Sequence, residues 1–259
     1  MTSFLHAFQS EWLKRKRSFA SSLVLGGSLF TPLIIVVVRL IRYRSLPRIY
    51  AADSFWKMMW RDSWESMAIF FLPLGAILAT SLITQIEFKS NAWKQVRTLP
   101  MSMAVLFFSK LAVILLMLVQ FLILFNLGIY ASAMIPYLVV PGVPHPRGTF
   151  LSLPLLRENA FYFVDCLPIV GAQYLMGLRL NNVLVPIGIG FLAWVGALAA
   201  VSSKLAVWWP YAYTILNYLK DKPKGAHFAH SEFHWLAAVS FVLLTIVSYV
   251  LFVTKREKG

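Results

Sequence analysis

Cysteine is nearly absent. Cys166 is the only one in 259 residues, so no disulfide within the chain can hold the fold. Charge is scarce as well: 13% of residues are Asp, Glu, Lys or Arg, about half the share usual in a soluble domain. Acids are rarer than bases, ten against 24. No candidate span carries the paired acids or histidines that intramembrane catalysis needs. Nucleotide and catalytic signatures are missing too. The chain has no G-x-x-x-x-G-K-[ST] loop, so it is not expected to bind and hydrolyse ATP by itself, and no G-x-G-x-x-G, HExxH or G-x-S-x-G. No cofactor is expected.

What is present is apolar, at 59% of the residues. Six charge-poor runs reach the length of about 20 residues that spans a bilayer. They cover approximately 18–38, 66–86, 111–131, 160–178, 183–203 and 235–253. The expected fold is therefore all-α, a polytopic membrane protein with six transmembrane helices. The first run is too long for a signal-peptide core and lacks a small-residue cleavage site. The fourth holds Asp165 and Pro168, so its acid should sit near the interface or face protein. The third run continues back to Met103 with Lys110 inside it, and the part before Lys110 should lie at or beyond the membrane surface.

A net charge of +14 raises nucleic acid as a partner, but the charges stand at span ends, as in Lys14-Arg15-Lys16-Arg17 and Lys255-Arg256-Lys258. Such clusters anchor helices at anionic lipid surfaces. Six spans put both termini on one side. Lys and Arg divide evenly between the two sides, because RLIRYRSLPR adds four arginines to the first loop; their density near span ends favours cytoplasmic termini. Residues 1–17 then read as a cytoplasmic interfacial helix with Phe4, Leu5, Phe8 and Trp12 on its apolar stripe. KLAVWWPYAYTILNYLKD, residues 204–221, reads as a short external segment, re-entrant or interfacial, before the last span.

Polar residues within the spans are few. Gln120, Asn126 and Gln173 are expected to hydrogen-bond between helices. Gly26-Gly27 and Gly188-x-Gly190 offer small surfaces for close helix approach. HFAHSEFH places His230 and His234 four apart, with His227 nearby, a spacing compatible with zinc. A polar loop leading into the last span explains it more simply, so no metal site is expected. Between spans two and three, EFKSNAWKQVRTLPMS reads as a short helix capped at Ser90 or Asn91. Trp93, Val96 and Leu99 lie on one side, Lys94, Gln95 and Arg97 on the other, and Pro100 ends it.

The stretch PLGAILATSLITQIEFKSNAWKQVRTLPMSMAVLFFSKL resembles the second-to-third-span region of type-2 ABC exporter permeases, most closely the lantibiotic-immunity and bacitracin-resistance branch. Glu87, Trp93-Lys94, Leu99-Pro100 and Lys110 carry the likeness. SEWLKRKRS, with Glu11, and LRLNNVLVPIGIG add to it in the expected order. The resemblance implies one transmembrane permease domain over 1–259 in the cell membrane. It also implies two ATP-binding subunits and a second permease, identical or homologous. Asn91, Ala92, Trp93, Lys94, Gln95, Val96, Arg97 and Thr98 would then form the ATPase-coupling helix, with Glu87, Leu99, Pro100 and Glu11 beside it. The branch points to antimicrobial peptide resistance, but the basic first loop and the Pro-rich third loop depart from its pattern. An amphipathic peptide or lipid-like substrate is the broader expectation. Two further readings are a metal-dependent membrane hydrolase using His227, His230 and His234, and a scaffold without transport.

Overall fold

Lipid offers no partner to a backbone N–H or C=O, so uncharged runs of this length close their hydrogen bonds locally, as helices. The computed structural model describes residues 2–16, 18–89, 102–180, 182–220 and 232–254, and every regular element among them is helical. In chain order they are α1 (Thr2–Lys16), α2 (Phe19–Ile41), α3 (Leu46–Tyr50), α4 (Phe55–Ser66), α5 (Leu72–Lys89), α6 (Met103–Val139), α7 (Leu153–Arg179), α8 (Leu184–Ala200), α9 (Tyr213–Leu219) and α10 (Glu232–Val253). A π-helical turn over Met67–Phe71 joins α4 to α5 without a break.

Among the described residues, five helical stretches are long and apolar enough to cross a membrane: Phe19–Ile41, Phe55–Ile86, Met103–Val139, Leu153–Arg179 and Phe233–Val253. The expected fifth run is α8, whose 17 residues reach about 25 Å at 1.5 Å each. Helical structure extends further than the apolar windows suggested. The second span is preceded by α4, where a loop was expected, and α7 begins at Leu153 rather than near residue 160. The third run is one unbroken helix of 37 residues.

Large apolar side chains remain exposed on the outer faces, among them Leu33 on α2, Leu192 on α8 and Leu243 on α10. Such belts suit lipid. Inside the bundle, small and polar groups set the spacing, as expected where lipid tails are as apolar as leucine. On α5 the run ATSLITQ buries Thr80, Ser81, Thr84 and Gln85 against α7. Gln85 Nε2 donates to the carbonyls of Gly177 (3.0 Å) and Leu180 (2.5 Å). Gly177 leaves the room that the Thr84 side chain occupies.

Phe107 of α6 meets Tyr174 of α7 and Phe252 of α10 at one end of the bundle, where α1 also packs on α6. The other end is aromatic. There Trp64 stacks on Tyr162 at 3.8 Å, and Tyr50 donates to the Ala133 carbonyl.

Candidate functional site

Ser102 starts α6 in an extended conformation, and its hydroxyl accepts the Val105 amide, a helix cap. Two turns on, Lys110 is buried. A buried ammonium needs a carboxylate, and Glu11 of α1 supplies it, accepting from Lys110 Nζ at 2.8 Å and from Lys14 Nζ at 2.5 Å. One turn further along α1, Arg15 donates to Gln120 Oε1 of α6 and covers the Trp12 ring at 3.6 Å. Ser18 and Ser21 both donate to the Arg15 carbonyl, which fixes the turn into α2.

The face of α1 that meets the bundle is therefore Ala7, Glu11 and Arg15, all buried, with Phe8 and Trp12 packed alongside. The expected apolar stripe is only partly inward, since Leu5 is exposed. Lys110 and Gln120 explain the difference, because two polar groups on α6 demand a charged partner face.

Burial alone would raise the Glu11 carboxyl, but Lys110 and Lys14 outweigh it and hold the group below its ordinary value. A depressed folded pKa stabilises above the unfolded value, about 4.3, and that contribution disappears as pH falls through the folded value. Docking of α1 is thus expected to be constant from pH 7 to pH 5 and to loosen below about pH 4. Hydrogen exchange across α1 as a function of pH checks this, and Glu11→Gln should remove the acid-dependent step.

Of the other expected coupling residues, Glu87 lies in the last turns of α5. Asn91 to Thr98, with Leu99 and Pro100, lie outside the described residues. So do His227 and His230. His234 is described, and its Nδ1 stands 2.6 Å from Asp165 Oδ1 in a buried pair. Asp165 thus faces protein, as a carboxylate in a span must. Among the described residues no group of three His, Cys, Asp or Glu side chains could hold a metal ion.

Gln120, Asn126 and Gln173, expected to bond between helices, all do so. Gln120 accepts from Arg15, Asn126 donates to Asn159, and Gln173 accepts from Ser81 while donating to Tyr211. The Glu11–Lys110 pair itself was not anticipated, although a signal was available. Glu11 is the only acid in the first 52 residues, and Lys110 is the only charge within a 35-residue apolar run, from 103 to 137.

These contacts contain no nucleophile poised beside a base. They are side-chain joints between helices, α1 to α6 above all. A family model described as ABC-2 family transporter protein matches residues 7–196, from α1 through most of α8. The chain belongs to the ABC-2 transporter family. No curated protein and no solved structure matched. An ABC-2 chain is a transmembrane permease component of an ABC transporter, and membership implies association with an ABC ATP-binding subunit. The multi-pass helical fold agrees with that, and the hydrolase reading of the histidines is not favoured.

Proposed function

We propose that this ABC-2 chain is the six-span permease of an exporter, moving an amphipathic peptide or lipid-like substrate with ATP hydrolysed by a separate subunit. The family match over α1 to α8 carries the reading. In it α8 is the fifth pass and completes the set of six, its short length accommodated by local thinning and by the exposed Trp208 and Trp209 beyond its end. Both termini then lie in the cytoplasm, and α1 is an interfacial helix whose buried Glu11 leans on α6. Two ATP-binding subunits serve a pair of permeases, identical or homologous.

Residues 91–98 would dock the ATP-binding subunit through Trp93 and Val96, flanked by Glu87, Leu99 and Pro100. Closure of the ATPase pair would push on this segment and on α1. The joints of Glu11 to Lys110 and of Gln85 to the end of α7 would carry the push into the bundle.

Co-expression with the ATP-binding partner and affinity capture of the permease tests this. Trp93→Ala and Val96→Glu are each expected to reduce recovered partner by at least roughly tenfold, as loss of an aromatic anchor does, with the permease itself still folded. Undiminished recovery with both variants would remove the docking role.

A further inference from the structure

We infer that the end of the bundle opposite α1 holds a binding site for an anionic amphiphile, with a phosphate or carboxylate head and a single apolar chain. The inference rests on the substrate side of the function proposed above and names where such a molecule sits.

The head site is built on α4. Trp56, Trp60 and Trp64 fall on successive turns of one face and line a cavity of about 600 Å³. Trp56 and Trp64 are more than nine-tenths buried, and the indole nitrogens of all three are buried with no acceptor among the described residues. Buried indole N–H groups ordinarily find a partner. Their rings cannot turn away to find one. Trp64 is stacked on Tyr162, Trp60 lies 5.4 Å from Trp64, and Trp56 packs against Phe150 at 5.1 Å.

The charged groups lining the same cavity are Lys57, Arg61, Arg147 and Lys220 against Asp53 and Glu158. Both carboxylates are already engaged, Asp53 by Arg147 at 3.2 Å and Glu158 by Lys220 at 2.7 Å. Arg61 also faces Asp62 at 3.6 Å, and Asn217 leaves one amide donor and one acceptor open among the described residues, so Lys57 and the three indoles tip the balance toward donors and positive charge. The complementary ligand group is anionic and rich in acceptor oxygens.

The chain site adjoins it. A second cavity of about 750 Å³ shares Trp56, Phe150 and Leu155 with the first and runs between α6 and α7. Its lining is almost wholly apolar. Its two amides, Asn126 and Asn159, satisfy each other and the carbonyls of Leu122 and Leu155, so they ask nothing of a ligand. Ile123, Leu127 and Leu156 on its wall are exposed on the lipid-facing surface of the bundle. An apolar tail can lie there while its head reaches the indoles past Leu155.

Native mass spectrometry of the purified full-length chain, without its ATP-binding partner, tests the site. The probes are dodecyl phosphate, dodecanoate, dodecyltrimethylammonium and inorganic phosphate. Dodecyl phosphate or dodecanoate is expected to be retained, and retention of only one assigns the head group while upholding the site. Trp60→Phe combined with Arg147→Gln should weaken retention at least tenfold, and Leu155→Trp, which blocks the passage between the cavities, should do the same. Thermal melting confirms that each variant folds, and Leu155→Trp decides alone if the double variant does not. Equal retention of dodecyltrimethylammonium, equal retention of inorganic phosphate (a free-anion site), or unchanged affinity in a folded Leu155→Trp would each overturn the inference. Because the ATP-binding partner takes no part, failure here leaves the docking of residues 91–98 standing, and failure there leaves this site standing.

Discussion

Replacing Glu11 with Leu is expected to destabilise the protein by about 3–5 kcal/mol, the cost of breaking a buried ion pair by removing one of its members. Lys110 is 5% exposed and Glu11 5%, so neither can recover its lost partner from water. Lys14, one turn from Glu11 and half-buried, loses its carboxylate in the same step. Lys110→Met should cost less than Glu11→Leu. Its removal leaves the carboxylate still held by Lys14, whereas removal of Glu11 takes the carboxylate from both Lys110 and Lys14. The double variant Glu11→Leu/Lys110→Met should recover most of the loss, to within about 1 kcal/mol, because a buried ion pair and an apolar pair of similar size are often nearly equal in stability. Thermal melting of the four proteins in detergent forms the double-mutant cycle. A coupling energy near zero would show that the two groups do not depend on each other. The cycle also separates stability from coupling. A double variant that melts normally yet loses ATP-driven activity would mark the charge pair as the joint between α1 and α6.

Gly190→Val should be nearly as damaging, and Gly188→Val nearly silent. The two glycines lie on the same helix two residues apart and look equivalent as letters. A Cβ on Gly190 would collide with the Gln173 side-chain amide nitrogen and come within 2.9 Å of both Gln173 Cδ and Ile77 Cγ2. Gln173 cannot yield cheaply, since Ser81 holds its oxygen at 3.0 Å and Tyr211 its nitrogen at 2.9 Å. Valine there forces either a separation of α8 from α5 and α7 or the loss of both hydrogen bonds. Overpacking and orphaned amide together amount to roughly 3 kcal/mol. Nothing lies within 4 Å of a Cβ on Gly188, so Gly188→Val should stay within about 0.5 kcal/mol. Melting of the two variants side by side checks the contrast, and equal shifts would refute the packing account.

Local rules made parts of this protein readable before any coordinates. Whether a run can cross lipid depends on its own length and polarity. Those rules found every helix now seen as long enough to span, and they set α8 among the apolar runs. They also required Asp165 to face the interface or protein, because an isolated carboxylate in lipid is too costly. They failed at α4. FWKMMWRDSWES carries four charges in twelve residues, Lys57, Arg61, Asp62 and Glu65, so a window tuned to lipid passes over it as connection. Its tryptophans at every fourth position were a helical signal that the charge obscured.

Partner choice is a different kind of information. Glu11 and Lys110 stand 99 positions apart, Arg15 and Gln120 105. A helix in lipid is apolar on every side, so no stripe announces which face meets protein. The inward edge of α1, the choice between Gly188 and Gly190, and the meeting of three indoles with four cations all follow from how helices approach one another. Composition and apolar length alone determined that this is a helical, multi-pass membrane chain, because the bilayer imposes that on each segment separately. Only the tertiary structure decided which charges pair and where space is left, because those depend on groups brought together from distant parts of the chain.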